Sequence, residues 1–175
     1  MRFQETELAG VFVIDLELFE DERGFFARSW SPDEFETRGL NPTIAQVNVG
    51  YNVRRGTLRG LHFQRAPDDE AKLVRCTRGA IHDVAVDLRP GSPTFRRSAS
   101  TELTMENRRM MYIPEGCAHG YITLTDDSEI AYQTSKAYAP DAATGVRYDD
   151  PALGIEWPVP IEVISEQDRG WALLD

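Results

Sequence analysis

The chain has 175 residues, of which 41% are hydrophobic and 27% are charged, and its formal net charge at pH 7 is −10. This length suits one well-buried core and is short for two, so we predict a single domain over residues 1–175. The negative charge disfavours nucleic acid and anionic membranes as partners. Because the chain lacks a basic leader and any apolar run long enough to span a bilayer, we expect a cytoplasmic protein.

Short strands separated by turn residues dominate the sequence. In chain order we predict strands over residues 11–19, 24–30, 43–52, 57–64, 71–76, 80–88, 97–103, 109–113, 119–124 and 129–135. Short helices are predicted over residues 31–36, where a serine cap precedes a proline, and over residues 165–168. About ten strands with few helical patterns between them predict an all-β fold, a double-sheet antiparallel jelly roll with a few short peripheral helices.

The cysteines and lysines are few. Cys76 and Cys117 lie far apart in apolar runs without metal-ligand spacing, which indicates buried free thiols rather than a disulfide. Of the 19 basic residues only Lys72 and Lys136 are lysines. Lys72 stands in an alternating segment typical of a half-buried strand, so it is either a lysine whose stem covers apolar surface at a sheet edge or a functional cation.

Two of the three histidines, His62 and His119, lie in apolar strand-like sequence. A histidine in such a place is either buried and bonded to a backbone carbonyl or part of a proton-transfer site. Strand alternation puts Arg59 and His62 on opposite faces, so both can line one pocket only if Gly60 allows a bulge or twist.

An ordered set of motifs runs through nearly the whole chain. They are QVN at 46–48, GTLRGLHFQ at 56–64, KLVR at 72–75, DVAVDLR at 83–89, SPT at 92–94, IPEG at 113–116, AHG at 118–120, DDP at 149–151, and IS at 164–165 followed by Asp168. In this order they resemble the dTDP-4-dehydrorhamnose 3,5-epimerase family. The resemblance implies a cupin-like jelly roll, usually a homodimer, that acts on a nucleoside-diphosphate 4-keto-6-deoxyhexose without a metal or organic cofactor.

The implied reaction is epimerisation in deoxysugar biosynthesis. A ketone at C4 acidifies the hydrogens on C3 and C5, so removal of a proton, formation of an enolate and reprotonation of the opposite face invert the carbon. By resemblance, His62 is the base, Asp168 its carboxylate partner and Tyr132 the acid. Lys72, with His119 nearby, would stabilise the charge on the ketone oxygen. The family commonly has an aromatic or apolar residue at the position of His82, so a core or pocket-wall role is expected for this histidine rather than a catalytic one.

The resemblance also implies residues that bind the substrate, namely Arg23, Gln46, Asn48 and Arg59, and we expect Arg28 to contact the substrate with them although it departs from the family pattern. Arginines suit the diphosphate and sugar because they can donate bidentate hydrogen bonds. Several of these roles have simpler alternatives. Arg23 could be a surface cation paired with its acidic neighbours, and Gln46 and Asn48 could be ordinary residues on a sheet face. Tyr132 could be an aromatic residue packed across strands, and Asp168 could be a solvated carboxylate on a helix.

The chain departs from the family pattern where the ligand would bind. Arg28 stands where many members have Glu, Ala143 where an acidic residue is expected, and Gln167 where a Lys is expected. The nucleotide is therefore open, with thymidine diphosphate favoured over cytidine or guanosine diphosphate. Inversion at C3 alone, at C5 alone or at both is compatible with one base and one acid.

Two hypotheses from other classes remain. One is a metal-dependent cupin enzyme, which usually needs closely spaced histidines and a carboxylate, whereas Phe63 and Gln64 follow His62 here. The other is a sugar-nucleotide binding module without turnover.

Overall fold

A computed structural model describes residues 1–174 of the protein as two largely antiparallel sheets packed face to face. In this part of the chain the first sheet consists of β1 (Arg2–Glu5), β2 (Phe12–Asp15), β5 (Gln46–Asn52), β7 (Lys72–Arg78), β10 (Met110–Ile113) and β12 (Ser128–Thr134). These strands are arranged in the order β1-β2-β10-β7-β12-β5. Strand β5 therefore forms one edge of this sheet.

The second sheet faces the first. It contains β6 (Thr57–Gln64), β8 (Ala80–Asp87), β9 (Ser98–Thr104), β11 (Cys117–Thr123) and β13 (Ala143–Gly145) in the order β13-β6-β11-β8-β9, and β14 (Val163–Ile164) pairs in parallel with β6. A separate hairpin joins β3 (Phe19–Asp21) to β4 (Gly24–Phe26). Two facing sheets with short helices confirm the predicted cupin-like jelly roll.

The core lies in three layers. Between the sheets, both contribute fully buried side chains, among them Val74, Ile81, Leu103 and Met111. Outside the first sheet, Phe35 of helix α1 (Pro32–Glu36) packs in a second cluster, and outside the second sheet residues from the C-terminal segment close a third. Burying each large apolar side chain contributes about 1.5–3 kcal/mol, so these layers hold the sheets in register.

The inner faces change character along the strands. On β7, Val74 belongs to the inner core, whereas Lys72, two residues earlier on the same face, lies at the wall of a cavity. On β12, Ile130 is buried in the core and Tyr132 lines the cavity. One end of the sandwich is therefore filled with apolar side chains and the other end is open and polar.

Most predicted elements are confirmed. Strand β6 spans the predicted residues, and α1 and α2 (Glu166–Arg169) lie where helices were predicted. The predicted strand over 11–19 is divided between β2 and β3, since Leu18 and Phe19 are exposed and their apolar character does not reflect burial in the core. Strands β1, β13 and β14 have only two to four residues, too few for periodicity to predict.

The predicted state of the cysteines is confirmed. Within residues 1–174 Cys76 and Cys117 are both free and buried. Burial raises the pKa of Cys76 to about 11 and that of Cys117 to about 12, so both remain protonated thiols near neutral pH. None of the helices in the described chain is long and apolar enough to cross a membrane.

Candidate active site

A cavity of about 730 Å³ opens between the two sheets. Seven of the predicted site residues line it: Gln46, Asn48, Arg59, His62, Lys72, His119 and Tyr132. The histidines and Arg59 come from β6 and β11, whereas Lys72, Tyr132 and the amides come from the opposite sheet. Residues up to 86 positions apart in the chain therefore share one site, which contains groups that can accept or donate protons.

His62 is held by a carboxylate from the C-terminal segment. Its Nε2 lies 2.5 Å from Oδ1 of Asp168, and the other Asp168 oxygen accepts a hydrogen bond from the Gly60 backbone N–H at 3.2 Å. Burial tends to raise the pKa of Asp168, but these hydrogen bonds outweigh it and lower the pKa overall. Asp168 is 4% exposed, so it is not a solvated helix carboxylate. It orients the imidazole while the His62 ring stays accessible from the cavity.

Gly60 provides the bulge that the sequence required. His62 pairs with His119, and Arg59 pairs with Tyr121, so two residues of β6 lie opposite Gly120 alone. Gly60 has a φ of +140°, and a Cβ there would lie 2.5 Å from the Cα of Gly120. Because the bulge reverses strand alternation at this point, Arg59 and His62 both line the cavity.

Lys72 is a buried cation at the cavity wall. Its Nζ donates to the backbone oxygen of His62 at 3.0 Å and lies 3.1 Å from Oε1 of Glu70. Burial lowers the pKa of Lys72, whereas the negative charges of Glu70 and Asp83 raise it and oppose that effect. The pairing with Glu70 disfavours the simple interpretation of a solvated edge lysine. Sequence reasoning did not single out Glu70.

His119 is paired with a second buried carboxylate. Its Nε2 lies 2.7 Å from Oδ1 of Asp83, whose side chain is fully buried. Sequence reasoning left Asp83 unassigned. The available signal was its position on the inward face of β8, which also carries the core residues Ile81 and Ala85, because an aspartate in such a row needs a partner.

Tyr132 is half-buried on β12, opposite Asn48 of the edge strand. Burial and the charge of Glu70 raise the pKa of its hydroxyl, while Arg59 lowers it, and the net shift is upward. The phenol therefore keeps its proton at neutral pH and can donate it. Lining the cavity, it is placed to act on a ligand as well as to pack across the strands.

The amides and Arg59 form the wall nearest the edge strand. Arg59 Nε donates to Oδ1 of Asn52 at 2.8 Å, and Gln46 accepts a hydrogen bond from the Tyr138 backbone N–H. Asn52 also donates to the hydroxyl of Tyr121 at 3.2 Å. These hydrogen bonds hold the Arg59, Gln46 and Asn52 side chains in place at this wall.

Two predicted ligand contacts lie elsewhere. Arg23, at the tip of the β3–β4 hairpin, forms an exposed ion pair with Asp21 at 2.5 Å. Arg28 is exposed and lies 4.0 Å from Glu34. Neither lines the cavity within a single chain, and their roles at a ligand stay predictions.

The departures from the family pattern lie at the site. Ala143 and Gln167 both line the cavity, so the missing acidic residue and the missing lysine change its wall directly. Trp171, which sequence reasoning also missed, lies beside them with its ring centroid 6.5 Å from that of His62. By contrast, His82 packs edge-to-face on Trp157 outside this cavity, which agrees with a packing role.

The described residues contain no group of three His, Cys, Asp or Glu side chains arranged to hold a metal ion. Instead the two cavity histidines are each paired with their own aspartate.

A jelly roll with an aspartate-paired histidine, a tyrosine and a buried lysine around one cavity is typical of the cupin-like sugar-nucleotide isomerase class. A sequence profile described as dTDP-4-dehydrorhamnose 3,5-epimerase matches residues 5–175. The chain belongs to the dTDP-4-dehydrorhamnose 3,5-epimerase family.

Relatives and solved structures agree over nearly the full length. A dTDP-4-dehydrorhamnose 3,5-epimerase from Methanothermobacter thermautotrophicus is 43% identical, covering 97% of this chain and 92% of its own. The crystal structure of the enzyme of that name from Bacillus anthracis, with TDP and PPi bound, has a TM-score of 0.94 at 39% identity and covers 99% of each chain. A dTDP-4-dehydrorhamnose 3-epimerase from Streptomyces niveus is 39% identical, covering 99% of this chain and 84% of its own.

Proposed function

We propose that the protein inverts C3, C5 or both in a nucleoside-diphosphate 4-keto-6-deoxyhexose, and that His62 and Tyr132 carry the proton transfers. One observation carries this proposal. The two side chains project into one cavity from opposing sheets, His62 from β6 and Tyr132 from β12. A sugar bound between them meets the base on one face and the acid on the other, as inversion requires.

The reaction also requires the negative charge on the enolate oxygen to be stabilised. When His62 removes a proton, negative charge develops on the C4 ketone oxygen, and Lys72 and His119 stabilise it in a partly desolvated site. Asp168 stabilises the imidazolium that forms at the same moment. No step of this mechanism calls on a metal or an organic cofactor.

The substrate we propose is of the dTDP-4-dehydro-6-deoxyglucose type. The B. anthracis structure with TDP and PPi bound supports the thymidine nucleotide, and a cavity of about 730 Å³ is of a size usual for small-molecule sites. Ala143 and Gln167 at the cavity wall keep cytidine and guanosine diphosphate sugars as alternative substrates.

The number of inverted carbons is the second open choice. We favour both C3 and C5, as in the name of the M. thermautotrophicus relative. The S. niveus relative is named as a 3-epimerase at similar identity, which supports single inversion at C3 as the alternative.

The test is solvent exchange in D₂O. The purified protein is incubated with thymidine, cytidine and guanosine diphosphate 4-keto-6-deoxyglucose, and deuterium at C3 and C5 is followed by NMR. We expect incorporation and inversion with the thymidine substrate, and neither with a His62→Ala variant. No incorporation with any nucleotide would contradict the proposal and favour a binding module, and activity dependent on added metal would favour a metal-dependent cupin.

We also propose that the protein functions as a homodimer in the cytoplasm. Val47, Val49 and Tyr51 of edge strand β5, and Val53 just after it, are each 45–67% exposed. Exposed apolar side chains grouped in this way are typical of a protein–protein interaction surface. Two buried thiols suit a reducing compartment. Sedimentation of the native protein and of the Val49→Lys variant tests whether this surface forms a dimer. A monomeric native protein would contradict the proposed homodimer.

A further inference from the structure

Glu70 is a buried carboxylate to which the mechanism above gives no role. Its side chain is 7% exposed and lines the cavity. Oε1 lies 3.1 Å from Nζ of Lys72, while Oε2 is buried and has no hydrogen-bond partner among the described residues. A buried carboxylate with one unsatisfied oxygen is costly for stability, which indicates that it is retained for what its charge does locally.

The ammonium group of Lys72 has three N–H donors. One is directed to the backbone oxygen of His62 and one to Glu70, both within 3.1 Å, which leaves one for a ligand in the cavity. Because two donors are held, the third has a defined direction. A preorganised donor of this kind stabilises a developing oxyanion without reorganisation during the reaction.

We propose that Glu70 is a positioning residue that acts through Lys72, holding its ammonium group at the cavity wall and keeping it charged while the ketone oxygen becomes an enolate. The role rests on the function proposed above. Without Glu70 the lysine would keep the backbone carbonyl of His62 as its hydrogen-bond partner among the described residues, and burial would favour its neutral form, which cannot neutralise an oxyanion.

The other charged groups around Lys72 determine how far its pKa falls when Glu70 is replaced. Besides Glu70, the titratable and charged groups that line the cavity with Lys72 are Tyr51, Arg59, His62, His119, Tyr121, Tyr132, Lys136 and Tyr138, and Asp83 of β8 also acts on its charge. Asp83 also favours the charged lysine, but it is shared with His119. Glu70 also raises the pKa of Tyr132, so we expect its loss to lower the pKa of both Lys72 and Tyr132.

The first test needs no substrate, because the chain contains only two lysines. In a Lys136→Arg background, protein labelled with ¹³C at lysine Cε shows one lysine signal, that of Lys72. We expect this signal to titrate at lower pH after Glu70→Gln and at unchanged pH after Asp69→Asn, a matched change one residue away that does not line the cavity. Identical titration of the Glu70→Gln protein and its parent would overturn the proposal.

The second test measures turnover with the 4-keto sugar that the D₂O assay identifies. We expect Glu70→Gln to lower kcat about tenfold, less than the ~10²- to 10³-fold cost of deleting an oxyanion donor, with little change in KM. The alkaline limb of its pH profile shifts to lower pH, and Glu70→Asp restores most of the rate. Loss of rate with an unmoved alkaline limb would reduce Glu70 to a structural residue. If no substrate is turned over, the proposed function fails while the lysine titration still decides the role of Glu70.

Discussion

At the scale of single residues, Asp168 sets the orientation of His62, the proposed base. Asp168 is buried, accepts from Gly60 and lies 2.5 Å from His62, so the ring has one favoured orientation. The lowered pKa of Asp168 keeps it ionised, as the proposed transfer of a proton to the imidazole requires. Orientation and charge therefore come from one side chain.

Replacing the Asp168 carboxylate by an amide keeps the shape of the side chain and removes its negative charge. We expect Asp168→Asn to lower kcat about 10²- to 10⁴-fold with little change in KM, because the neutral amide cannot stabilise imidazolium. Steady-state kinetics checks this, with Glu166→Gln, an exposed carboxylate on the same short helix, as the control. A loss below tenfold would show that His62 is aimed by other contacts.

Tyr132 can be separated from the base by isotope exchange. In Tyr132→Phe, His62 still removes a proton and can return one to the same face, so hydrogen exchange at the carbon continues while inversion falls about 10²-fold or more. NMR in D₂O measures both quantities in one experiment. Equal loss of exchange and inversion would assign Tyr132 to substrate binding or to enolate formation instead.

At the scale of elements, the bulge in β6 organises the site. It places Arg59 and His62 on the same cavity wall and supplies the N–H of Gly60 to Asp168. The bulge depends on the close approach of Gly60 to Gly120 across the strand pair. A side chain at either position would force β6 and β11 apart.

A glycine comparison tests the bulge. We expect Gly60→Ala to lower the free energy of unfolding by about 2 kcal/mol or more, since it combines a strained φ with a backbone clash. Gly91→Ala has a positive φ of +79° but no atom within 4 Å, and we expect a loss of about 1 kcal/mol. Urea unfolding measures both. Equal losses would mean that the approach to Gly120 carries no special cost.

Elements with a clear period were predictable, and contacts between distant elements were not. Strand β6 and the need for a bulge at Gly60 followed from alternation and from the histidine motif. The Lys72–Glu70 pair was not predicted, because Glu70 lies in a polar turn whose direction only tertiary packing decides. The pairing of β14 with β6 was missed for the same reason.

At the scale of the whole molecule, buried aspartates couple stability to pH. Burial tends to raise the pKa of Asp87, but hydrogen bonds from Arg89, Ser92 and Thr94 outweigh it and lower the pKa well below its usual range. A group with a lowered folded-state pKa contributes stability above its unfolded pKa, about 3.9 for aspartate, and that contribution is lost as pH falls further.

We therefore expect Asp87→Asn to lower the free energy of unfolding by about 2 kcal/mol at pH 7, and by progressively less below about pH 4. Thermal unfolding across pH 3 to 7 measures the difference. Asp141→Asn, an exposed aspartate, is the control and should leave the pH dependence unchanged. If the free energies of unfolding of Asp87→Asn and wild type differ by the same amount at every pH, Asp87 does not make stability depend on pH.

The His62–Asp168 pair has a consequence for how activity is acquired. Its two members are separated by 106 positions, and every strand of the first sheet is complete by Thr134, before Asp168 occurs in the chain. A refolding molecule whose first sheet has formed but whose C-terminal segment has not docked would show strand content and no turnover. Long-range closure of this kind is slow, so we expect turnover to recover after strand content during refolding, and a nascent chain cannot form the pair before Asp168 has left the ribosome.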